Sequence, residues 1–291
     1  MLPKAFLAPI FDYTNAPFRL LCQRHGAEST AVPLVNVSAI IHGVNLVDAV
    51  TGEKNLGVQL SGAKPNEFIE TVRIIEKKFP FIKRFDINAG CPSSNTMQNG
   101  GGAALMRKSD ILMSIVKAMK KETSLPVSVK MRIFRDKEKT LDLASRIESA
   151  GADFVTVHGR TAKQGYSGTA DWEMIRSIKE SLSIPIIGNG DVKCRKDGIS
   201  RIKDGFCDSF MIGRAAMSNP LVFKDKTELT YEQRKKLFLE YADLCSKHDM
   251  IELNDLRRKS VQLFRSVRNG AKMRGMLMQS ETAEELISKV E

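Results

Sequence analysis

The sequence predicts an α/β fold: a (β/α)8 TIM barrel followed by a small all-helical C-terminal domain. Three observations predict it. Short β-branched or apolar runs alternate with longer helical patterns from Lys4 to about Phe223, the signature of repeated βα units around a parallel sheet. Eight such runs fit into about 220 residues, the size of such a barrel. From Asp225 strand-like runs cease, and apolar positions such as Leu237, Tyr241 and Leu244 fall at helical spacing. The expected division is therefore 1–224 and 225–291. A doubly wound open sheet is the rival, but no G-x-G-x-x-G follows the first strand.

The candidate strands are Ala5–Ala8, Ser29–Pro33, Leu56–Leu60, Arg84–Asn88, Val127–Lys130, Phe154–His158, Ile184–Gly188 and Ser209–Gly213. Helices fit the gaps. The stretch Asn66–Lys78 places Phe68, Val72, Ile75 and Phe79 on one face, and Ile111–Lys121 does the same with Ile111, Ile115 and Ala118. Both end in lysines, which suit the negative end of the helix dipole. Ser-Leu-Pro126 and Ser-Ile-Pro185 precede the fifth and seventh strands, as expected where a helix must stop and the chain re-enter the barrel.

With 42% apolar and 27% charged residues over 291 positions the composition is that of an ordinary globular chain, outside the disordered classes. No apolar run approaches the roughly 20 residues of a membrane helix, and the opening Met1-Leu-Pro-Lys-Ala-Phe lacks the regions of a signal peptide, so a cytoplasmic location is expected. Cys22, Cys91, Cys194, Cys207 and Cys245 are odd in number and scattered, never Cys-x-x-Cys, which argues against a disulfide framework or a metal site. A formal net charge of +11 points to a polyanionic partner such as nucleic acid. In the tail, Arg257, Arg258, Lys259, Arg265, Arg268, Lys272 and Arg274 follow one another with no acid among them, a plausible phosphate-backbone contact, while Val261, Phe264 and Val267 would pack on the barrel. Nothing implies an obligate protein partner.

The stretch Asp86-Ile-Asn-Ala-Gly-Cys-Pro92 aims a thiol off a strand end into a loop: Phe85–Ile87 reads as buried strand, Gly90 permits the turn and Pro92 stops the ladder. The polar, glycine-rich 93–102 is expected to be a mobile loop. The functional face of a parallel barrel is the C-terminal end of its strands, and here those ends are polar: Gln59, Asn88, Lys130, Arg132, His158, Arg160, Asn189, Asp191 and Arg214. Gly188-Asn-Gly-Asp191 and Gly213-Arg-Ala-Ala216 stand where barrels commonly hold a phosphate on backbone N–H groups, and Arg214 adds a forked cation. Gln59 can bond a planar heterocycle edgewise, and Lys130 can face an anionic reduced ring. Together these suit a flavin mononucleotide; a barrel that handles a sugar phosphate without flavin stays open at this point.

At these residues the chain resembles the tRNA-dihydrouridine synthase family. The likeness covers Leu7–Arg19, Val58–Leu60, Asp86–Pro92, Gly100–Leu105, Val129–Arg132, His158–Thr161 with Gly165-Tyr166, Gly188–Asp191 and Gly213-Arg214 with Asn219-Pro220, in order along the predicted barrel. The resemblance implies a flavoenzyme that reduces uridine in tRNA, with FMN as cofactor and NADPH as reductant. Carried over, it assigns Pro9, Ile10 and Phe11 to the back of the ring, Lys130 and His158 to its neighbourhood, and Asn189, Gly190, Asp191, Gly213 and Arg214 to its phosphate end. Hydride would pass to C6 of the uracil and Cys91, still holding its proton, would protonate C5. Asn88, Arg132, Arg160 and Tyr166 would hold the base, and the basic tail would contact tRNA. One departure stands out: many members carry Thr-Glu-Met before Val-Ser-Ala, where this chain has Leu34-Val-Asn36. The alternatives are a dihydroorotate or dihydropyrimidine flavoenzyme acting on a free pyrimidine, which has no need of a basic tail, and a non-catalytic RNA-binding protein on a flavin scaffold.

Overall fold

In a computed structural model the described residues are 2–265 and 270–290. The eight strands are β1 (Ala5–Leu7), β2 (Thr30–Asn36), β3 (Leu56–Ser61), β4 (Arg84–Ala89), β5 (Val127–Arg132), β6 (Phe154–His158), β7 (Ile186–Asn189) and β8 (Ser209–Ile212). All pair in parallel, in the order β1-β8-β7-β6-β5-β4-β3-β2, and a bridge between Phe6 and Ser29 brings β1 back to β2. The barrel expectation holds. So do the eight strand positions, within one to three residues at each end.

The connecting helices are α1 (Ala16–Arg24), α2 (Val37–Ile41), α3 (Pro65–Lys78), α4 (Ser94–Gln98), α5 (Ala103–Arg107), α6 (Ser109–Glu122), α7 (Lys137–Ser149), α8 (Trp172–Ser181), α9 (Arg195–Lys203) and α10 (Arg214–Ser218). Local chemistry starts several of them. Asn15, Asn36, Asp136 and Asp171 each accept the N–H three residues on, satisfying a donor the helix itself cannot. Pro65 opens α3, with Glu67 in its first turn and Lys77 and Lys78 in its last.

Two apolar layers hold the barrel. Outside the strands, Val58, Ile87, Val129 and Val157 pack against Phe68, Ile115, Ile147 and Ile178 of the helix ring. A separate cluster of Phe6, Phe154, Ile187 and Met211, with Ala8, is the second layer. Because side chains alternate along a strand, Asp86 and Asn88 share one face of β4, and Ser128, Lys130 and Arg132 one face of β5. The register sets Gln59 beside Asp86, Asn88 beside Lys130, and Arg132 beside His158 beside Asn189. A polar ring is thereby built at the C-terminal end of the barrel.

After a 3-10 turn at Pro220–Lys224 come α11 (Tyr231–Lys247), α12 (Leu253–Leu263), α13 (Gly270–Met278) and α14 (Ala283–Ser288), with no strand among the described residues. A buried polar cluster fastens them to the barrel. Lys259 on α12 donates to Asp255 Oδ1 at 2.8 Å, and the Tyr241 hydroxyl of α11 donates to the same carboxylate. Asn15, at the head of α1, donates to the Tyr241 hydroxyl at 2.8 Å and to Asp255 at 3.2 Å. The Lys259 ammonium lies 4.2 Å from the Tyr13 ring centre and 5.2 Å from that of Tyr241. Lys259, expected among the RNA contacts, is 0% exposed and cannot reach a phosphate; i,i+4 pairing with Asp255 and three aromatic neighbours draw it inward.

Candidate active site

A cavity of about 570 Å³ opens at the C-terminal end of the strands, and every strand or the loop behind it contributes a wall. Pro9, Ile10, Phe11, Gln59, Asn88, Cys91, Lys130, Arg132, His158, Tyr166, Asn189, Gly190, Asp191, Gly213 and Arg214 all line it. Of the barrel residues expected there, only Arg160 stands outside. It is 1% exposed, bonded through Nη2 to Asp191 at 2.7 Å and to the Gly168 carbonyl at 2.6 Å. Its buried guanidinium is a strut for the 160–168 loop, and the expected base contact is corrected accordingly.

The Cys91 thiol is half-buried and donates to the Thr96 hydroxyl at 3.6 Å. Its backbone N–H donates to Asn88 Oδ1 at 2.9 Å, as does that of Gly90 at 3.1 Å. The 93–102 stretch, expected as a mobile loop, contains α4 instead: Ser93 Oγ caps it by accepting from Thr96 N–H at 3.3 Å, and this brings Thr96 to the thiol. Gly102 is required here. At φ +58° it lies in the left-handed region, and a Cβ would come within 2.5 Å of the Cys91 carbonyl. Gly90 serves by close approach rather than by an unusual turn, since a Cβ there would meet the Lys130 carbonyl at 3.3 Å.

Beneath the thiol runs a hydrogen-bonded chain that sequence reasoning missed. Ser128 Oγ donates to Asp86 Oδ1 at 2.8 Å, Gln59 Nε2 to Asp86 Oδ2 at 2.5 Å, and Asn88 Nδ2 to Gln59 Oε1 at 2.8 Å. Burial raises the Asp86 carboxyl above the usual range, against the pull of Gln59, Ser128, Arg84 and Lys130. The available signal was an acid inside the apolar run Phe85–Ile87, which no solvated face could explain.

Lys130 is pushed down to about 8 by burial first and by Arg132, with Asp86 and Cys91 opposing. Among the described residues its ammonium makes one hydrogen bond, 3.4 Å to Asn189 Oδ1, so two donors are left for a ligand in the cavity. His158 is driven to about 2, mainly by burial and then by Lys130, Arg132, Arg160 and Arg214, and is therefore a neutral imidazole. Arg132 is anchored by Nε to the Gly90 carbonyl at 2.9 Å and by Nη1 to the carbonyls of Thr161 and Gly165. Tyr166, 59% exposed, has the Arg214 guanidinium 4.6 Å and that of Arg132 5.9 Å from its ring centre.

Asp191, at φ +56°, accepts from Arg160, Arg214 at 3.2 Å and the Ala170 N–H at 2.8 Å. Burial alone would raise its carboxyl, but these donors hold it below the usual range. A carboxylate so engaged repels a phosphate, so its side chain holds Arg214 rather than taking the phosphate as expected. Leu34, at φ +46° in a bulge of β2, also lines the cavity without any signal in sequence. Its neighbour Val35, where the resemblance looked for a carboxylate, is fully buried, and Asn36 caps α2.

The cavity fits a flavin on its own chemistry. An amide (Gln59) and a cation short of partners (Lys130) stand on one side, and Gly213 leaves room where an added Cβ would meet only Ala8, at 3.5 Å. Fold and site thus define a parallel-barrel oxidoreductase of the flavin-dependent class. The chain belongs to the dihydrouridine synthase family, whose model, "Dihydrouridine synthase (Dus)", matches residues 6–291; these are flavin-dependent NAD(P)H oxidoreductases that form dihydrouridine in tRNA. A probable tRNA-dihydrouridine synthase of Aquifex aeolicus is 29% identical over 99% of this chain and 95% of its own length. One from Rickettsia conorii is 35% identical over 83% of this chain and 76% of its own. A solved 2-naphthoyl-CoA reductase shares the fold, with TM-score 0.59 at 12% identity over 76% of this chain and 49% of that one. Among the described residues no helix is long and apolar enough to cross a membrane.

The tail cations are divided. Arg258, Arg265 and Lys272 are exposed. Arg257 is partly buried and donates to the Ser280 carbonyl at 2.6 Å, and Arg274 to the Phe264 carbonyl at 2.7 Å. Arg268 and Val267 lie outside the described residues.

Proposed function

We propose that this protein reduces the C5=C6 bond of a uridine in tRNA with FMN as its flavin and NADPH as its reductant, and that 225–291 forms an RNA-binding domain. The observation that carries the reading is a half-buried thiol, Cys91, on the wall of the same cavity as the partner-short ammonium of Lys130. Pro9, Ile10 and Phe11 would back the ring, Gln59, Lys130 and His158 would meet its edge, and Asn189, Gly190, Gly213 and Arg214 would take the phosphate end. The bound flavin, once reduced, supplies hydride for C6 of the uracil.

Each chain residue then has a defined part. Cys91 gives its proton to C5, where charge develops as C6 is reduced. Lys130 faces the negative charge of the reduced ring with its ammonium. Asn88 has one amide N–H left beside its bond to Gln59, and the Nη2 of Arg132 makes no hydrogen bond among the described residues, so both are free for uracil carbonyls. Tyr166 offers its exposed ring to a base turned out of its stack. Arg258, Arg265 and Lys272 supply the tail's phosphate contacts.

The test is dihydrouridine, read by mass spectrometry, in tRNA incubated with FMN-loaded protein and NADPH. Formation of dihydrouridine is expected. A preparation that never takes up FMN, or one that turns over free uracil or orotate equally well without residues 225–291, would sink it.

A further inference from the structure

Next to the active-site cavity, on the rim formed by the loops after β4, β5 and β6, lies a second cleft of about 730 Å³. Its floor is apolar, with Met106, Ile133, Phe134 and Met174, and its lip carries three exposed cations, Arg107, Arg135 and Lys163. None of the three makes an ion pair or side-chain hydrogen bond among the described residues. The one acid in the wall, Asp171, is occupied as the cap of α8. An apolar floor under free cations fits a nucleobase with its flanking phosphates.

Position singles this cleft out. The helical tail packs on the β1 and β8 side of the barrel, through α1 and α10, and β5 stands across the mouth from β1. The cleft thus faces the tail over the active site. Its walls are also those of the catalytic turn: Ala103 N–H donates to the Cys91 carbonyl at 2.9 Å, and Thr161 gives its carbonyl to Arg132 at 3.0 Å.

We infer that this cleft is a second RNA subsite, which takes a nucleotide of the tRNA strand beside the target uridine and completes a track from the tail across the mouth. The inference rests on tRNA being the substrate. RNA seated there would press on the segments that hold Cys91 and Arg132, so binding and placement of the thiol are linked.

The experiment compares wild type with the triple variant Arg107→Gln, Arg135→Gln, Lys163→Gln, as full-length FMN-loaded protein with an unmodified tRNA transcript. The expected result is tRNA binding weakened about tenfold or more, with the slope of log K against log salt shallower by about two, from ~0.7 per lost phosphate contact. Flavin reduction by NADPH and the melting temperature stay as in wild type. Unchanged tRNA affinity and slope would overturn the inference. So would slowed flavin reduction with unchanged tRNA affinity, which would give the cleft to the dinucleotide. Wild-type protein that fails to bind tRNA at all would instead defeat the proposed function, and this subsite with it.

Discussion

The amide nitrogen of Gln59 donates to the buried carboxylate of Asp86 at 2.5 Å, and this single bond orients the floor of the active site. With its N–H₂ end turned to the acid, Gln59 presents its oxygen to Asn88, and Asn88 in turn presents its own oxygen to the backbone N–H groups of Gly90 and Cys91. One buried charge thereby selects the amide orientation of two side chains and holds the turn that carries the thiol.

Replacing Asp86 by Asn keeps the shape and removes the charge. The Asn amide can still accept from Gln59 through its oxygen and donate to the Ser128 hydroxyl, but no charge then fixes the direction of the Gln59 and Asn88 amides, which are released to turn over. Dihydrouridine formation is expected to fall by ~10 to 100-fold while the circular dichroism spectrum is unchanged. Full activity in the Asp86→Asn variant would show that the chain beneath the thiol does not position it.

The proton donor is tested more directly. Cys91→Ala is expected to bind FMN and accept electrons from NADPH as wild type does, yet form dihydrouridine about 10² to 10⁴ times more slowly, the usual worth of general acid catalysis. Equal product formation would remove Cys91 from the reaction.

Lys130 makes a prediction about pH. Its value of about 8 lies below the 10.5 of an unfolded lysine, so between those limits the folded protein has released a proton that the unfolded chain keeps. Stability should therefore rise with pH through that window as the cost of the buried charge disappears. Anion binding should run the other way, and FMN affinity should weaken above about pH 8. Affinity titrations of wild type against Lys130→Met check both the break and its absence in the variant.

At the other end of the chain, Lys259→Met takes from buried Asp255 the cation at 2.8 Å and leaves it only the exposed Arg258, at 3.9 Å. Breaking a buried pair by removing one partner costs about 3–5 kcal/mol, so a large fall in melting temperature is expected, with loss of tRNA binding as α12 loosens. A variant that melts like wild type would mean that the cluster around Tyr241 holds without the ammonium.

The barrel was legible in the residues because its signals are local: period-two runs, helical stripes, and Pro126 and Pro185 before returning strands. The polar strand ends were legible too, since a run such as Val127–Lys130 has no apolar reason to end in a charge. Nothing in the chain order, however, distinguishes Lys259 from Arg258 beside it, or Arg160 from Arg132. Lys259 is buried on an internal acid while Arg258 stays exposed at the surface, and Arg160 is buried outside the cavity while Arg132 lines it.

What the sequence by itself determined is therefore the architecture and the cast of chemical groups, because hydrophobic period and residue type act over a few positions. Only the tertiary structure decided which cations are spent on internal acids, that Asp86 governs Gln59 and Asn88, and that a second basic cleft shares walls with the Cys91 turn. Those outcomes depend on the register between strands and on burial, which bring together groups 27 to 240 residues apart, such as Gln59 with Asp86 and Asn15 with Asp255, and set their charges by the company they keep.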